Sequence, residues 1–291
     1  MNHIVIIGGG IAGLSAAYYA QKKAPEACIT LLEAGERWGG KIATDRVPFD
    51  GGQFIIEGGP DTFLASKPWA VALCKELGLS ERLLGTNPSQ KNTYVLHRNK
   101  LEPLPDGLAM MIPTNVQAIL KSSLVSWSGK ARMGLDFMLQ PHALNGDESL
   151  GAFVSRRLGR EAYENLIEPL MSGIYAGNGD QLSLASTFPY LRDLEIKYGS
   201  LARGALEMRK KMPTAPGSRS AFLTPTSGLA EIVEKLVDHL EAQGVNLRLN
   251  APVTTIQHLS GTWNLTLQSG ERINAGSVIL ASPAYVSGKL L

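Results

Sequence analysis

Ile4-Val5-Ile6-Ile7-Gly8-Gly9-Gly10-Ile11-Ala12-Gly13-Leu14-Ser15-Ala16-Ala17 runs from an apolar strand, through three consecutive glycines, into a segment of helix formers. The β-branched run has no polar face, as expected of a strand buried on both sides of a parallel sheet. Ile29 to Glu33 reads as the next strand, which makes a βαβ unit. Such crossovers are right-handed, so the two strands lie side by side with their C-terminal ends at one ligand crevice. In the fingerprint Gly8 permits a tight turn, Gly10 lets backbone approach a pyrophosphate, and Gly13 allows close helix-sheet packing. The helix N-terminus then offers unpaired N–H groups and the positive end of its dipole to a diphosphate. Gly8, Gly9, Gly10, Ile11, Ala12 and Gly13 are therefore candidate cofactor residues. Glu33 stands 20 residues beyond Gly13, where a carboxylate accepts ribose hydroxyls and repels a 2′-phosphate, so NADP is disfavoured.

The residues after Glu33 separate FAD from NAD. Ala34-Gly35-Glu36-Arg37-Trp38-Gly39-Gly40-Lys41 is a turn that NAD dehydrogenases do not need. Its paired glycines allow backbone amides close to a large cofactor, and Arg37 is expected to bring charge near the diphosphate. A second cluster, Glu57-Gly58-Gly59-Pro60-Asp61-Thr62, comes after Phe49 to Phe54, read as a short strand with turn signals. Two further backbone approaches suit an isoalloxazine ring.

The 291 residues are 44% hydrophobic and 19% charged, ordinary for a globular protein, and a formal charge of +2 with scattered basic residues argues against nucleic-acid binding. Two cysteines, Cys28 and Cys74, are too few for a disulfide framework and lack zinc spacing; both are expected to be buried and reduced. The five histidines fall in no motif, no metal site is read, and no nucleophile–base constellation is found. The N-terminus lacks a basic n-region and cleavage site, which points to the cytoplasm.

Along the middle of the chain the βα alternation lapses. Tyr94 to Leu96 and Lys100 to Leu104 read as short strands, and Asn115 to Lys121, Gly129 to Leu139 and Ser149 to Leu158 as helices, the last capped by Asp147 or Ser149. Glu161 to Met171 reads as another helix, ended by Ser172-Gly173, and Lys210 to Ser220 as an exposed loop. From Thr226 the α/β text returns, with a helix over Gly228 to Gly244 and strands at Val245 to Leu249, Val253 to His258, Trp263 to Leu267 and Ser277 to Ala281. The fold class is α/β: a Rossmann-like FAD-binding domain in two pieces, 1–85 and 221–291, with a helix-rich substrate region, 86–220, inserted. Leu290-Leu291 comes soon after that last strand without a capping element, which suggests a C-terminally truncated chain.

Glu33-Ala34-x-x-Arg37-x-Gly39-Gly40-Lys41, with the triple-glycine fingerprint, resembles the glutathione-reductase-type flavoproteins of the flavin amine oxidase superfamily. Within it, Glu57 to Phe63 and above all Pro169-Leu170-Met171-Ser172-Gly173-Ile174-Tyr175-Ala176-Gly177-Asn178-Gly179-Asp180-Gln181-Leu182-Ser183 resemble motifs of the oxygen-dependent protoporphyrinogen and coproporphyrinogen III oxidases. Ser227-Gly228-Leu229 and Val278 to Ala284 resemble later landmarks of the same family. The resemblance implies that FAD is held by the fingerprint, Glu33, Ala34, Lys41 and Gly59-Pro60-Asp61-Thr62, with Val253 binding the adenine through its backbone. It implies that Gly173-Ile174-Tyr175-Ala176-Gly177 lines the tetrapyrrole cavity. The reaction implied is hydride transfer from a porphyrinogen to flavin N5, with dioxygen reoxidising the flavin to give hydrogen peroxide, and no catalytic side chain is required. Some members carry an arginine where this chain has Thr93; propionate recognition must then differ, which leans toward coproporphyrinogen III over protoporphyrinogen IX. A greasy macrocyclic substrate makes weak peripheral contact with a membrane conceivable through Leu108-Ala109-Met110-Met111-Ile112-Pro113, and an exposed sheet edge does the same for a homodimer.

Overall fold

A computed structural model describes residues 3–87, 93–105, 108–109, 112–113, 115–142, 146–211 and 220–291. The chain divides into two compact units, Met1–Thr86 with Arg219–Leu291, and Asn87–Ser218.

The first unit is built on a parallel sheet. Strand β1 (His3–Ile7) leads into helix α1 (Ile11–Lys23) and back to β2 (Cys28–Leu32); later come helix α2 (Ala230–Ala242), β3 (Asn246–Arg248) and β4 (Ser277–Leu280). The order is β3-β2-β1-β4, all parallel, with Ile6 level with Leu31 on one side and Ile279 on the other. The unbroken β-branched run of β1 has its reason here. Ile6 packs with Leu14, Ala17 and Tyr18 of α1 and Leu236 and Leu240 of α2. Val5 and Ile7 point the other way, onto Leu265 and Leu267 of an antiparallel sheet formed by Val253–Leu259, Thr262–Leu267 and Arg272–Ala275. Alternate side chains of one strand thus enter two different apolar cores, and no position is left for a polar residue. The Phe49 to Phe54 segment is not one strand but the end of a hairpin, Thr44–Phe49 against Gly52–Glu57, joined through Asp50-Gly51 with Gly51 at φ +99°. Asp-Gly is a preferred two-residue hairpin loop.

The second unit is mainly helical, around a core that includes Phe153, Val154, Leu158, Tyr163, Leu166, Ile167, Leu184 and Leu191. Asn115, Ser126 and Ser149 each accept a backbone N–H from the first turn of the helix they precede. Ser149 is therefore the cap of Leu150–Leu158, while Asp147 accepts instead from Ala185 N–H at 3.0 Å. Tyr94–His97 and Lys100–Pro103 form a hairpin whose turn residues, Arg98 and Asn99, both have positive φ, 49° and 61°. Ile112, inside the stretch considered for membrane contact, is buried in the helical core, and Met110 and Met111 lie outside the described residues. At its centre Arg157, fully buried, donates through Nε to Asp136 at 2.6 Å and through Nη2 to the carbonyls of Asp136 and Gly199 at 3.0 and 2.9 Å. The other oxygen of Asp136 accepts from the Ser200 hydroxyl at 2.6 Å and Ala202 N–H at 2.9 Å.

Several expectations need correction. The helix does not stop at Gly173: it runs from Arg160 through a π-turn at Tyr163–Ile167 to Tyr175, and Ala176, at φ 48°, ψ 34°, makes the stop. A glycine weakens a helix interior by about 1 kcal/mol but ends it only if it turns left-handed, and here alanine does so, donating its N–H to Ser172 O at 2.9 Å. Gly129 to Leu139 is a shorter helix, Trp127–Gly134, followed by a 3-10 turn at Leu135–Phe137. Cys28 is exposed, at the start of its strand; only Cys74 is buried, and burial, then the Glu231 charge, pushes its thiol up to about 11. A helix, Ala284–Leu290, comes after β4, so the strand is not the last element. Of the expected loop at Lys210 to Ser220, Lys210 and Lys211 belong to a helix, Leu201–Lys211, and 212–219 lie outside the described residues.

Candidate cofactor site

The C-terminal ends of β1, β2 and β4 open on a cavity of ≈ 900 Å³ within the first unit. That is at the upper end of the roughly 300–1,000 Å³ typical of ligand sites. Ligands of open parallel sheets bind at this edge because the loops that leave the strands can diverge there. Ile7, Leu32 and Ala281 come to it at or just past the strand ends, and its lining is mainly apolar. Its titratable lining side chains among the described residues are Glu33 and Lys41.

Of the residues expected from sequence, Gly8, Gly10, Ile11, Ala12, Glu33, Ala34, Gly39, Gly40, Lys41, Pro60, Thr62 and Val253 line this cavity. The turn at the start of α1 fits an anionic group. Gly10 is the helix N-cap, no side chain caps it, and the first turn contains no acid. The first N–H groups of the helix therefore have no acceptor within it, and the dipole leaves them positive. A Cβ on Gly10 would meet only Gly40 Cα, at 3.8 Å, so backbone is bare on that side. Gly39 and Gly40 have φ of +103° and +57°, left-handed values that glycine adopts at no cost, and Gly39 N–H donates to Gly9 O at 2.8 Å, tying the second turn to the first.

Gly9, Gly13, Arg37, Gly59 and Asp61 do not line the cavity. A Cβ on Gly13 would overlap the Gly8 carbonyl oxygen, and one on Gly59 would overlap the Lys41 carbonyl oxygen, so both are glycine because two backbone segments touch. A Cβ on Gly9 would instead meet the side chains of Trp38 and Glu33, and Asp61 is exposed, accepting from the Thr62 hydroxyl at 3.0 Å. Arg37 departs from its expected place by the diphosphate. Its guanidinium donates to the carbonyls of Gly40 and Ile42, both at 2.7 Å, and to Trp38 O at 3.3 Å. Three carbonyls of its own turn satisfy the fork, so it holds Gly39-Gly40-Lys41 in shape from behind. Glu33 accepts Gly9 N–H at 2.6 Å and Gly35 N–H at 2.7 Å, one on each oxygen. Each oxygen keeps a second lone-pair direction.

Residues that sequence reading did not assign to the site also line it, among them Ile42, Leu229, Ile232, Ala251 with Pro252, and Ala281-Ser282-Pro283. Ala281 to Pro283 could have been found, since they lie just beyond a strand of the parallel sheet on its ligand edge; Leu229 and Ile232 could not, because nothing local says which helix face turns toward the strand ends. Gly173, Tyr175, Ala176 and Gly177 belong to the second unit. There the exposed Tyr175 ring meets Phe188 edge-on at 5.3 Å between centroids, and Phe188 meets Tyr190 likewise at 6.2 Å. Ile174 belongs to the helix Glu168–Tyr175.

Along its whole length the chain is 42% identical to the coproporphyrinogen III oxidase of Bacillus subtilis, spanning 62% of that protein. It is 30% identical over 99% of its length to the protoporphyrinogen oxidase of Bos taurus, spanning 61% of it. Among solved structures, a putative protoporphyrinogen oxidase from Exiguobacterium superposes with a TM-score of 0.82 at 38% identity, over 99% of this chain and 61% of that one. A putrescine oxidase superposes at 0.64 with 20% identity, which shows the fold alone. The chain spans about three fifths of the length of these relatives. The model of flavin containing amine oxidoreductases matches residues 11–291, and the chain belongs to that family.

Proposed function

We propose that this chain acts as an FAD-dependent porphyrinogen oxidase. It would remove six electrons from coproporphyrinogen III to give coproporphyrin III, with three dioxygen molecules reduced to hydrogen peroxide. The observation that carries the reading is 42% identity to a coproporphyrinogen III oxidase along the entire chain, against 30% to a protoporphyrinogen oxidase. Thr93, at a position where the family resemblance implies arginine in some members, agrees with a substrate whose propionates are held differently.

On this reading the N–H groups at the start of α1, those of Ile11 and Ala12, and the Lys41 ammonium receive the diphosphate. The lone pairs of Glu33 left by Gly9 and Gly35 accept ribose hydroxyls, and the Val253 backbone holds the adenine. The bare backbone of Gly39 and Gly40 and the side chains of Pro60, Thr62, Leu229 and Ile232 enclose the rest of the cofactor and exclude water. FAD, once bound, supplies the two-electron acceptor, used in three rounds; the protein supplies orientation and a dry site. Gly173 to Gly177, with the exposed Tyr175 ring, contribute to substrate binding.

The test is anaerobic mixing of FAD-loaded protein with coproporphyrinogen III, and separately with protoporphyrinogen IX, while the flavin absorbance band is followed. Bleaching by the first compound, with porphyrin fluorescence when air is admitted, is expected. Stable FAD binding without bleaching by either compound would sink the substrate assignment and leave the cofactor site standing.

A further inference from the structure

We propose that Glu57, which does not line the cavity, is a positioning residue that sets the cofactor wall made by Pro60, Thr62, Leu229 and Ile232. The inference rests on the reading of the crevice as an FAD site and names a residue through which that site is kept in shape.

Helix α2 begins at Ala230 after Leu229, which cannot cap it with its own side chain. Its leading N–H groups are met instead by the hairpin. Glu57 Oε1 accepts Leu229 N–H at 2.7 Å, and Thr44 Oγ1 accepts Ala230 N–H at 3.0 Å. The Thr44 hydroxyl in turn donates to Glu57 Oε2 at 2.5 Å, so one carboxylate organises both contacts. Thr44 and Glu57 are opposite residues at the open end of the hairpin, the register in which they can act together. A Cβ on Gly228, at φ +87°, would stand 2.7 Å from Glu57 Oε1, so only glycine lets the turn before α2 come this near.

Both ends of this contact adjoin the wall. Glu57 is three residues before Pro60 and five before Thr62, and the Leu229 N–H donates only to this carboxylate oxygen among the bonds of the described residues. One acidic group therefore joins the segment bearing two wall residues to the helix start bearing the other two. The ion pairs Arg46–Glu234 and Arg82–Glu231 fasten the same turn, but each has a partner at least 46% exposed. Exposed pairs are screened and weak, whereas a hydrogen bond from a helix N-terminus to a carboxylate is charge-assisted. The residues that receive phosphate and ribose, Gly10 to Ala12 and Glu33, make no hydrogen bond to Glu57, so the two parts of the crevice should respond differently when it is changed.

The experiment compares the chain with Glu57→Gln, Glu57→Ala and Thr44→Val, titrating each with FAD and with ADP, which has the adenosine and diphosphate but no flavin. Melting temperature and the circular dichroism of bound flavin are recorded alongside. A carboxylate accepts from both donors, an amide from only one without turning its NH₂ toward the other. Expected is FAD affinity about tenfold weaker in Glu57→Ala, an intermediate loss in Glu57→Gln and Thr44→Val, altered flavin dichroism, and ADP affinity within twofold of the parent. Unchanged FAD affinity and dichroism in all three variants overturns the proposal. So does a parallel fall in FAD and ADP affinity that tracks melting temperature, which would make Glu57 a general fold residue. A parent chain that binds ADP but not FAD would sink the flavin reading, and this inference with it, before any variant is compared.

Discussion

In the first unit the polar end of the crevice is formed by backbone: the N-terminus of α1 and the left-handed Gly39-Gly40 turn, held by contacts at Gly13 and Gly59 that leave no room for a Cβ. In the second unit the most buried polar contacts are between side chains, Arg157 with Asp136 and, beside them, Arg156 with Glu195. A site that must receive a large anionic ligand keeps its donors open and holds them by steric fit. A helical core that encloses charge must instead pair its ions internally, since an unpaired ion in an apolar interior costs several kcal/mol. The two regions should therefore fail differently: glycines lost from the first cost ligand affinity, and charges lost from the second cost folding.

Arg157→Met tests that contrast most severely. It leaves Asp136 charged and buried, so a loss of about 3–5 kcal/mol in urea unfolding is expected. The double change Arg157→Met with Asp136→Leu should recover only part of this, because Ser200 and Ala202 also depend on Asp136. A single variant as stable as the parent would break the comparison.

Gly13→Ala is the counterpart in the first unit. Its Cβ would overlap the Gly8 carbonyl, and overpacking of this kind costs about 1–3 kcal/mol. Because the displaced atoms belong to the turn proposed to face the diphosphate, FAD affinity measured by fluorescence titration should fall tenfold or more. Parent-like affinity would show that the turn tolerates a shift.

Acid separates the units less sharply. Burial works to raise the Glu195 carboxyl, but the hydrogen bonds and charge of Arg156 outweigh it and hold the group below its ordinary value. A carboxylate depressed in the folded state contributes stability that is complete above its unfolded pKa, about 4.3, and is lost as pH falls through the lower folded value. Stability should thus decline below about pH 4, and Glu195→Gln should lower stability at neutral pH while flattening that decline. Glu231 is depressed too, chiefly by its hydrogen bond with the half-exposed Arg82, so its acid response should be weaker. An equal flattening by Glu231→Gln would contradict this ranking.

Ala176→Gly should give the smallest change, and in the stabilising direction. A left-handed alanine costs roughly 1–2 kcal/mol relative to glycine, of which the greater freedom of unfolded glycine returns part, so a gain of up to about 1 kcal/mol is expected by thermal unfolding. If substrate oxidation falls while stability rises, the strained residue serves the Gly173 to Gly177 motif; if neither moves, the strain is incidental.

Much of the crevice was legible in sequence because glycine reports backbone geometry directly. The turn before α1, the paired glycines after Glu33 and the strand–helix–strand order each depend on a few consecutive residues. Arg37 shows the opposite case. A guanidinium next to a phosphate loop has two sources of acceptors, ligand and backbone, and spacing cannot tell which will claim it. The helix end at Ala176 was missed because a glycine at 173 looked the better stop, and the αL residue was set by hydrogen bonding to Ser172. Cys28 was expected to be buried from its residue type, and strand position decided otherwise.

By itself, then, the sequence determined the βαβ start, the dinucleotide edge of the sheet, and the resemblance that carries FAD. The first two rest on short-range steric rules, and the third on motifs that resemble those of a known family. Only the tertiary structure decided that Leu229 and Ile232 close the crevice, that Glu57 reaches a helix start 172 residues away, and that Arg157, Asp136 and Glu195 meet in one core. Such contacts join segments distant in the chain, and their partners are chosen by packing of whole helices and sheets, for which no local spacing is a signal.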